Sequence, residues 1–179
     1  MAKVNFAKIA SFKTGDVMAN GTMQTSLAAL AGIKEGSASL NIGEPEVTDI
    51  NIEESDTPFA SSEGSREVDL TLEIIGAEAQ QLAPLIGGTY TAASAGNREK
   101  ITIGAGVGSV LKAIEFAGKN ADGEDVIVSL PKTKILYSVP GTITKNDVRG
   151  WQLKCKVLQP DDGAGNLTDW MIIESGAEG

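Results

Sequence analysis

A mostly β chain with a single short helix is what this sequence predicts, and three observations predict it. Apolar and polar residues alternate at a period of two along several segments, most clearly from Arg66 to Ile75. Glycine is frequent, at 21 residues, and clusters with Asn and Asp in groups that suit turns between short strands. Only one stretch, Gly76 to Ile86, strings together good helix formers.

The elements follow in order. Residues 3–12 alternate weakly through Val4, Phe6 and Ile9 and run into Thr14-Gly15-Asp16, which predicts an extended N-terminal arm over about residues 1–20. Met23, Leu27, Leu30 and Ile33 are spaced by three or four, so the stretch between Gly21 and Gly36 is read as a helical turn or an irregular connector. Ser37 to Ile42 and Val47 to Ile52 read as strands broken at Gly43-Glu44-Pro45. The polar, acidic run from Glu53 to Ser65 is longer than an ordinary hairpin connection. In Arg66 to Ile75, Val68, Leu70, Leu72 and Ile74 form a core face, while Glu67, Asp69, Thr71 and Glu73 form an acidic, wet one. The helix over Gly76 to Ile86 is expected to be short, with its last turn broken at Pro84.

The remainder reads as a meander over Thr89 to Ser94, Lys100 to Gly104, Ser109 to Ala117, Asp125 to Leu130, Lys134 to Thr144, Arg149 to Gln159 and Trp170 to Ile173. Along Trp151 to Val157 the odd positions are apolar, which points Cys155 into the core with Trp151. No internal repeat and no linker divides the chain, so residues 1–179 are expected to form one domain.

Composition argues against whole classes of chemistry. Histidine is absent, which removes the commonest general base and the commonest metal ligand. The single cysteine rules out an internal disulfide, and the start of the chain lacks the apolar stretch of a secretory signal, so maturation in a reducing cytoplasm is expected. No apolar run approaches the roughly 20 residues of a membrane helix. A formal charge of -9 disfavours phosphate backbones and anionic lipid as ligands.

Individual constellations point the same way. Gly104-Ala105-Gly106-Val107-Gly108 lacks the sixth-position glycine and the following helix of a dinucleotide fingerprint, and reads as a turn or bulge. Cys155 has only Lys154 and Lys156 nearby, both on the opposite strand face, and so reads as a structural thiol. Asp161 and Asp162, and Asp122, Glu124 and Asp125, do not fit a calcium loop and read as solvated turns. No catalytic residue, cofactor site or metal site is assigned. The acids Glu67, Asp69 and Glu73 suggest a sharper reading, the lining of a passage that repels a polyanion so that it slides.

Taken in order, Gly21-Thr22-Met23, Lys34-Glu35-Gly36-Ser37, the run from Gly43 to Asp49, the run from Glu53 to Pro58, the strand and short helix up to Gly87-Gly88, and Trp151 to Cys155 together resemble the major tail tube proteins of long-tailed bacteriophages. The likeness covers nearly the whole chain. It implies two packed antiparallel sheets, sandwich or barrel-like, flanked by one helix. It further implies six subunits in a ring whose inner strands join into a barrel, with rings stacked into a hollow tube for DNA. Such a subunit is made in the host cytoplasm and resides in the virion tail. Its partners would be copies of itself and other tail proteins (tape measure, terminator and baseplate or tip components), with DNA as a passing cargo that is not specifically bound and with no membrane. The arm at residues 1–20 and the long loop at about 43–66 would bridge stacked rings, with Glu54, Asp56, Pro58, Phe59 and Glu63 as contact candidates and Glu67, Asp69 and Glu73 as candidates for the acidic lumen.

Two rivals stand beside this reading. A tube protein of a contractile tail, or of a related injection or secretion apparatus, shares the same plan. A capsid decoration or cell-surface β-sandwich binding module belongs to a different class.

Overall fold

A computed structural model describes residues 8–45, 47–50, 60–64, 66–105, 108–139 and 150–176. The chain is mostly β and antiparallel, with one short helix. In order it forms β1 (Lys8–Gly15), β2 (Ala28–Ala29), β3 (Ser39–Ile42), β4 (Val47–Ile50), β5 (Ala60–Glu63), β6 (Val68–Ile74), α1 (Ala79–Leu82) continued by a 3-10 turn (Ala83–Leu85), β7 (Gly88–Thr91), β8 (Lys100–Ile103), β9 (Val110–Lys119), β10 (Asp125–Ser138), β11 (Trp151–Val157) and β12 (Ile172–Ser175). The main sheet runs β2-β1-β9-β10-β11-β6-β3, and β12 adds to β10.

Strand β10 makes two sheets out of this single path. Its first part, Val126 to Ser129, lies between β9 and β12, and its second, Thr133 to Ser138, pairs with β11. Between Leu130 and Thr133 it carries one residue more than β9 does, a bulge occupied by Pro131, which has no N–H to give a ladder. The extra residue switches the inward positions from Val126, Val128 and Leu130 to Thr133 and Ile135, all of them buried, so the strand keeps facing the core past the bulge. Sequence reading splits this strand at Pro131; the bulge is what lets it continue.

Both sheets point into one core. Phe12, Ile114, Phe116 and Val128 come from the first, and Leu70, Leu72, Ile74, Leu153 and Cys155 from the second. The alternation of β6 is complete, with Val68, Leu70, Leu72 and Ile74 buried. Trp151 is half-buried, with its ring centroid 5.9 Å from that of Tyr137. The helix adds Leu82, Leu85 and Ile86, and Pro84 ends it in a 3-10 turn, as the sequence predicts.

One expectation is corrected and one choice is decided. Residues 8–15 are not a free arm: they form β1, hydrogen-bonded along β9, with Phe12 buried. A bulge between Ile9 and Ser11 shifts the inward position from Ile9 to Phe12 and hides the alternation. Residues 23–33, open in the sequence between a helical turn and an irregular connector, form the connector, with only the short β2 within them. Their backbone laces the two sheets together: Leu30 N donates to Phe12 O at 2.8 Å, Ile75 N to Gly32 O at 2.6 Å and Lys34 N to Glu73 O at 2.8 Å. Gly32, at φ +82, is needed there because a Cβ would fall on the Ile75 carbonyl oxygen.

The sandwich does not close into a barrel. β1 and β3 are unpaired with each other and flank a cleft of about 830 Å³ whose walls include Ile9, Phe12, Ala38 and Leu40 and whose floor includes Leu70 and Phe116.

Candidate assembly surfaces

The acids singled out by the sequence lie on one outer face, because residues 67, 69 and 73 share the strand period and their neighbours Val68, Leu70 and Leu72 point inward. Each is met by a lysine from elsewhere in the chain. Lys154 Nζ contacts Asp69 Oδ2 at 2.9 Å, Lys34 Nζ contacts Glu73 Oε2 at 2.8 Å, and Lys156 is paired with Glu67. The hydrogen bond to Glu67, then its charge, holds the Lys156 ammonium above the ordinary lysine range. Glu73 Oε1 also accepts from Gly150 N at 3.2 Å. The strip is therefore locally charge-balanced, whereas the sequence predicts an acidic, wet one. Asp69 is only 18% exposed in its side chain, and its Oδ1 is buried without a hydrogen-bond partner among the described residues. The lysines could have been found in the sequence: Lys154 and Lys156 alternate along their strand at the spacing of the acids, and antiparallel pairing sets the two rows side by side.

The second candidate is the segment read as a long loop at about 43–66. It contains a hairpin: β4 pairs with β5 from Val47↔Glu63 to Ile50↔Ala60. β3 pairs with β6 from Ser39↔Thr71 to Ile42↔Val68, and four residues on either strand separate the two ladders, so one register continues through both. Gly43 N donates to Glu67 O at 2.8 Å at the start of the gap. The loop is thus an extension of a core strand pair, interrupted near Pro45. From Gly43 to Ile50 it spans on the order of 25 Å at the rise of a β-strand. The contacts of β4 and β5 are essentially with each other, and Val47 is 55% exposed. Of the contact candidates, Glu63 lies in β5, directly across from Val47. Glu54, Asp56, Pro58 and Phe59 lie outside the described residues, as do residues 1–7 of the predicted arm.

The remaining chemistry is quiet. Cys155 is fully buried, and burial first, then the Asp69 charge, push its thiol up to about 12. It is a core residue without the basic partner that a nucleophile needs. Asp162 accepts from Ala164 N at 2.8 Å, Asn166 N at 3.0 Å and Asn166 Nδ2 at 2.7 Å, which holds its carboxyl below the usual range. That carboxylate organises a turn. Asn120 does the same for the turn before β10, accepting from Asp122 N and Glu124 N, each at 2.9 Å. After Gly104 the chain enters strand β9 and not a helix, although Gly106 and Val107 lie outside the described residues. No helix among the described residues is long and apolar enough to cross a membrane.

No protein-family model matches the chain, and no curated protein is significantly similar to it.

Proposed function

We propose that this chain is a structural, non-enzymatic subunit that assembles with copies of itself into stacked rings, forming the wall of a phage tail tube through which DNA passes. The observation that supports it best is the hairpin formed by β4 and β5. A core strand pair is prolonged through this hairpin, and among the described residues β4 and β5 make their contacts essentially with each other. An isolated two-stranded hairpin is marginally stable by itself, and gains stability when a neighbour supplies a surface to its apolar residues such as the exposed Val47. The edge strand β3, the edge of β1 that β2 covers over only two residue pairs, and the exposed apolar residues Leu111, Leu136 and Ile173 favour the same reading, since closed assembly covers edges that would otherwise pair at random. On this reading the ring is a hexamer, the neighbours are other copies and other tail proteins, and DNA is a cargo. A contractile tail or a related injection apparatus would use the same subunit.

Negative-stain microscopy of the purified chain, with light scattering over a wide concentration range, tests the proposal. Rings or hollow tubes are expected; a strictly monomeric mass throughout would refute it. One observation favours a binding module instead: the cleft between β1 and β3 is apolar on its floor and large enough for a peptide strand or a small ligand. A monomer that binds a ligand there would support that alternative.

A further inference from the structure

We infer that the outer face around Lys134 is the surface that receives the hairpin arm of a second copy; the inference rests on the assembly reading above and names the contact that reading requires.

Charge is distributed very unevenly along this chain. Residues 43–65 contain Glu44, Glu46, Asp49, Glu53, Glu54, Asp56 and Glu63 and neither Lys nor Arg, so this segment holds seven of the nine net negative charges. The rest of the chain is almost balanced. An arm so charged needs cations on whatever it docks against.

The outer face of β10 offers one. Lys134 is exposed and stands directly across from Lys156 on β11. Like charges in directly opposed positions destabilise a sheet. Lys156 is answered by Glu67, while Lys134 has no ion-pair partner among the described residues. A local cost of this kind, left standing on an exposed face, fits an anion supplied from outside. The apolar surroundings agree. Leu111 lies directly across from Lys134 on β9 and is 48% exposed, and Leu136, two residues along on the same face, is 39% exposed. Val139, at the end of the strand, is 47% exposed. A cation between large exposed apolar side chains suits an acidic strand that also shows apolar residues. β4 is such a strand: Val47 is exposed and Asp49 follows two residues on, the spacing that separates Lys134 from Leu136.

Charge reversal tests this on the full chain. Lys134→Glu reverses the receiving face, and Asp49→Lys with Glu63→Lys reverses the arm. Each variant alone should self-associate about tenfold more weakly than the parent by sedimentation velocity, and the loss should shrink at high salt. Lys134→Glu should fold at least as stably as the parent, because it removes the opposition to Lys156. Mixing the two variants should restore assembly, since each arm then meets a face of opposite charge. Three results overturn the inference while leaving the assembly reading intact: Lys134→Glu assembling like the parent, the mixture assembling no better than its components, or the parent binding duplex DNA through Lys134, which would make the patch a polyanion site. A parent that stays monomeric refutes the assembly reading itself, and this contact with it.

Discussion

Replacing Thr133 by valine tests how one strand serves two sheets. Thr133 is fully buried beside the bulge in β10, and its hydroxyl donates to the Lys112 carbonyl at 2.7 Å across the β9–β10 ladder. Valine keeps the shape and removes the donor, so the Lys112 carbonyl loses its partner in this part-buried hydrogen bond. The expected loss is about 1–3 kcal/mol. For a chain of this length each kcal/mol lowers the melting temperature by about 2–4 °C. Urea unfolding followed by circular dichroism should show an earlier midpoint with an unchanged slope, because the surface exposed on unfolding is the same. A midpoint equal to or above that of the parent would refute the claim that this hydrogen bond holds the bend.

Three further outcomes follow from the same structure. Gly150→Ala should destabilise by about 1–3 kcal/mol, since the new Cβ would fall on the Ile74 carbonyl oxygen; a thermal melt matching the parent contradicts this. The Cys155 thiol, raised from an ordinary 9.0 to about 12, should resist a thiol reagent in the native protein at pH 8 and react at once in urea. Its unfolded form ionises first, so stability should hold below about pH 9 and fall between pH 9 and 12, a loss that Cys155→Ala should blunt. Replacing residues 44–66 by a short turn that joins Gly43 to Glu67, which are already hydrogen-bonded, should leave thermal stability within about 0.5 kcal/mol and abolish long assemblies; a chain that unfolds instead would make the arm part of the core.

Where side-chain period and backbone ladder agree, the sequence is readable. β6 and β11 alternate without interruption, and both lie where expected with Cys155 inward. The reading fails where a bulge breaks the period. In β1 the extra residue after Ile9 turns a core strand into an apparent arm, and in β10 the bulge at Pro131 makes one strand look like two. The segment before β3 stays ambiguous in the sequence for another reason: Met23, Leu27, Leu30 and Ile33 have helical spacing, and what makes the stretch a connector is a backbone committed to β1 and β6. The candidate surfaces were legible in part. The acids could be placed on one face from their period, and Lys154 and Lys156 by their matching period, but Lys34 reaches Glu73 from a connector whose course no period announces. Within the long segment, β4 lies where a strand is expected at Val47 to Ile52, whereas β5 is missed because it is short and polar, and the register of the hairpin is inherited from β3 and β6.

Electron microscopy of the purified chain over a series of protein concentrations and ionic strengths shows most directly whether this subunit joins copies of itself. Closed rings are expected at low concentration and hollow tubes of stacked rings at high concentration. A uniform population of single particles of 18.5 kDa under every condition would contradict the assembly reading.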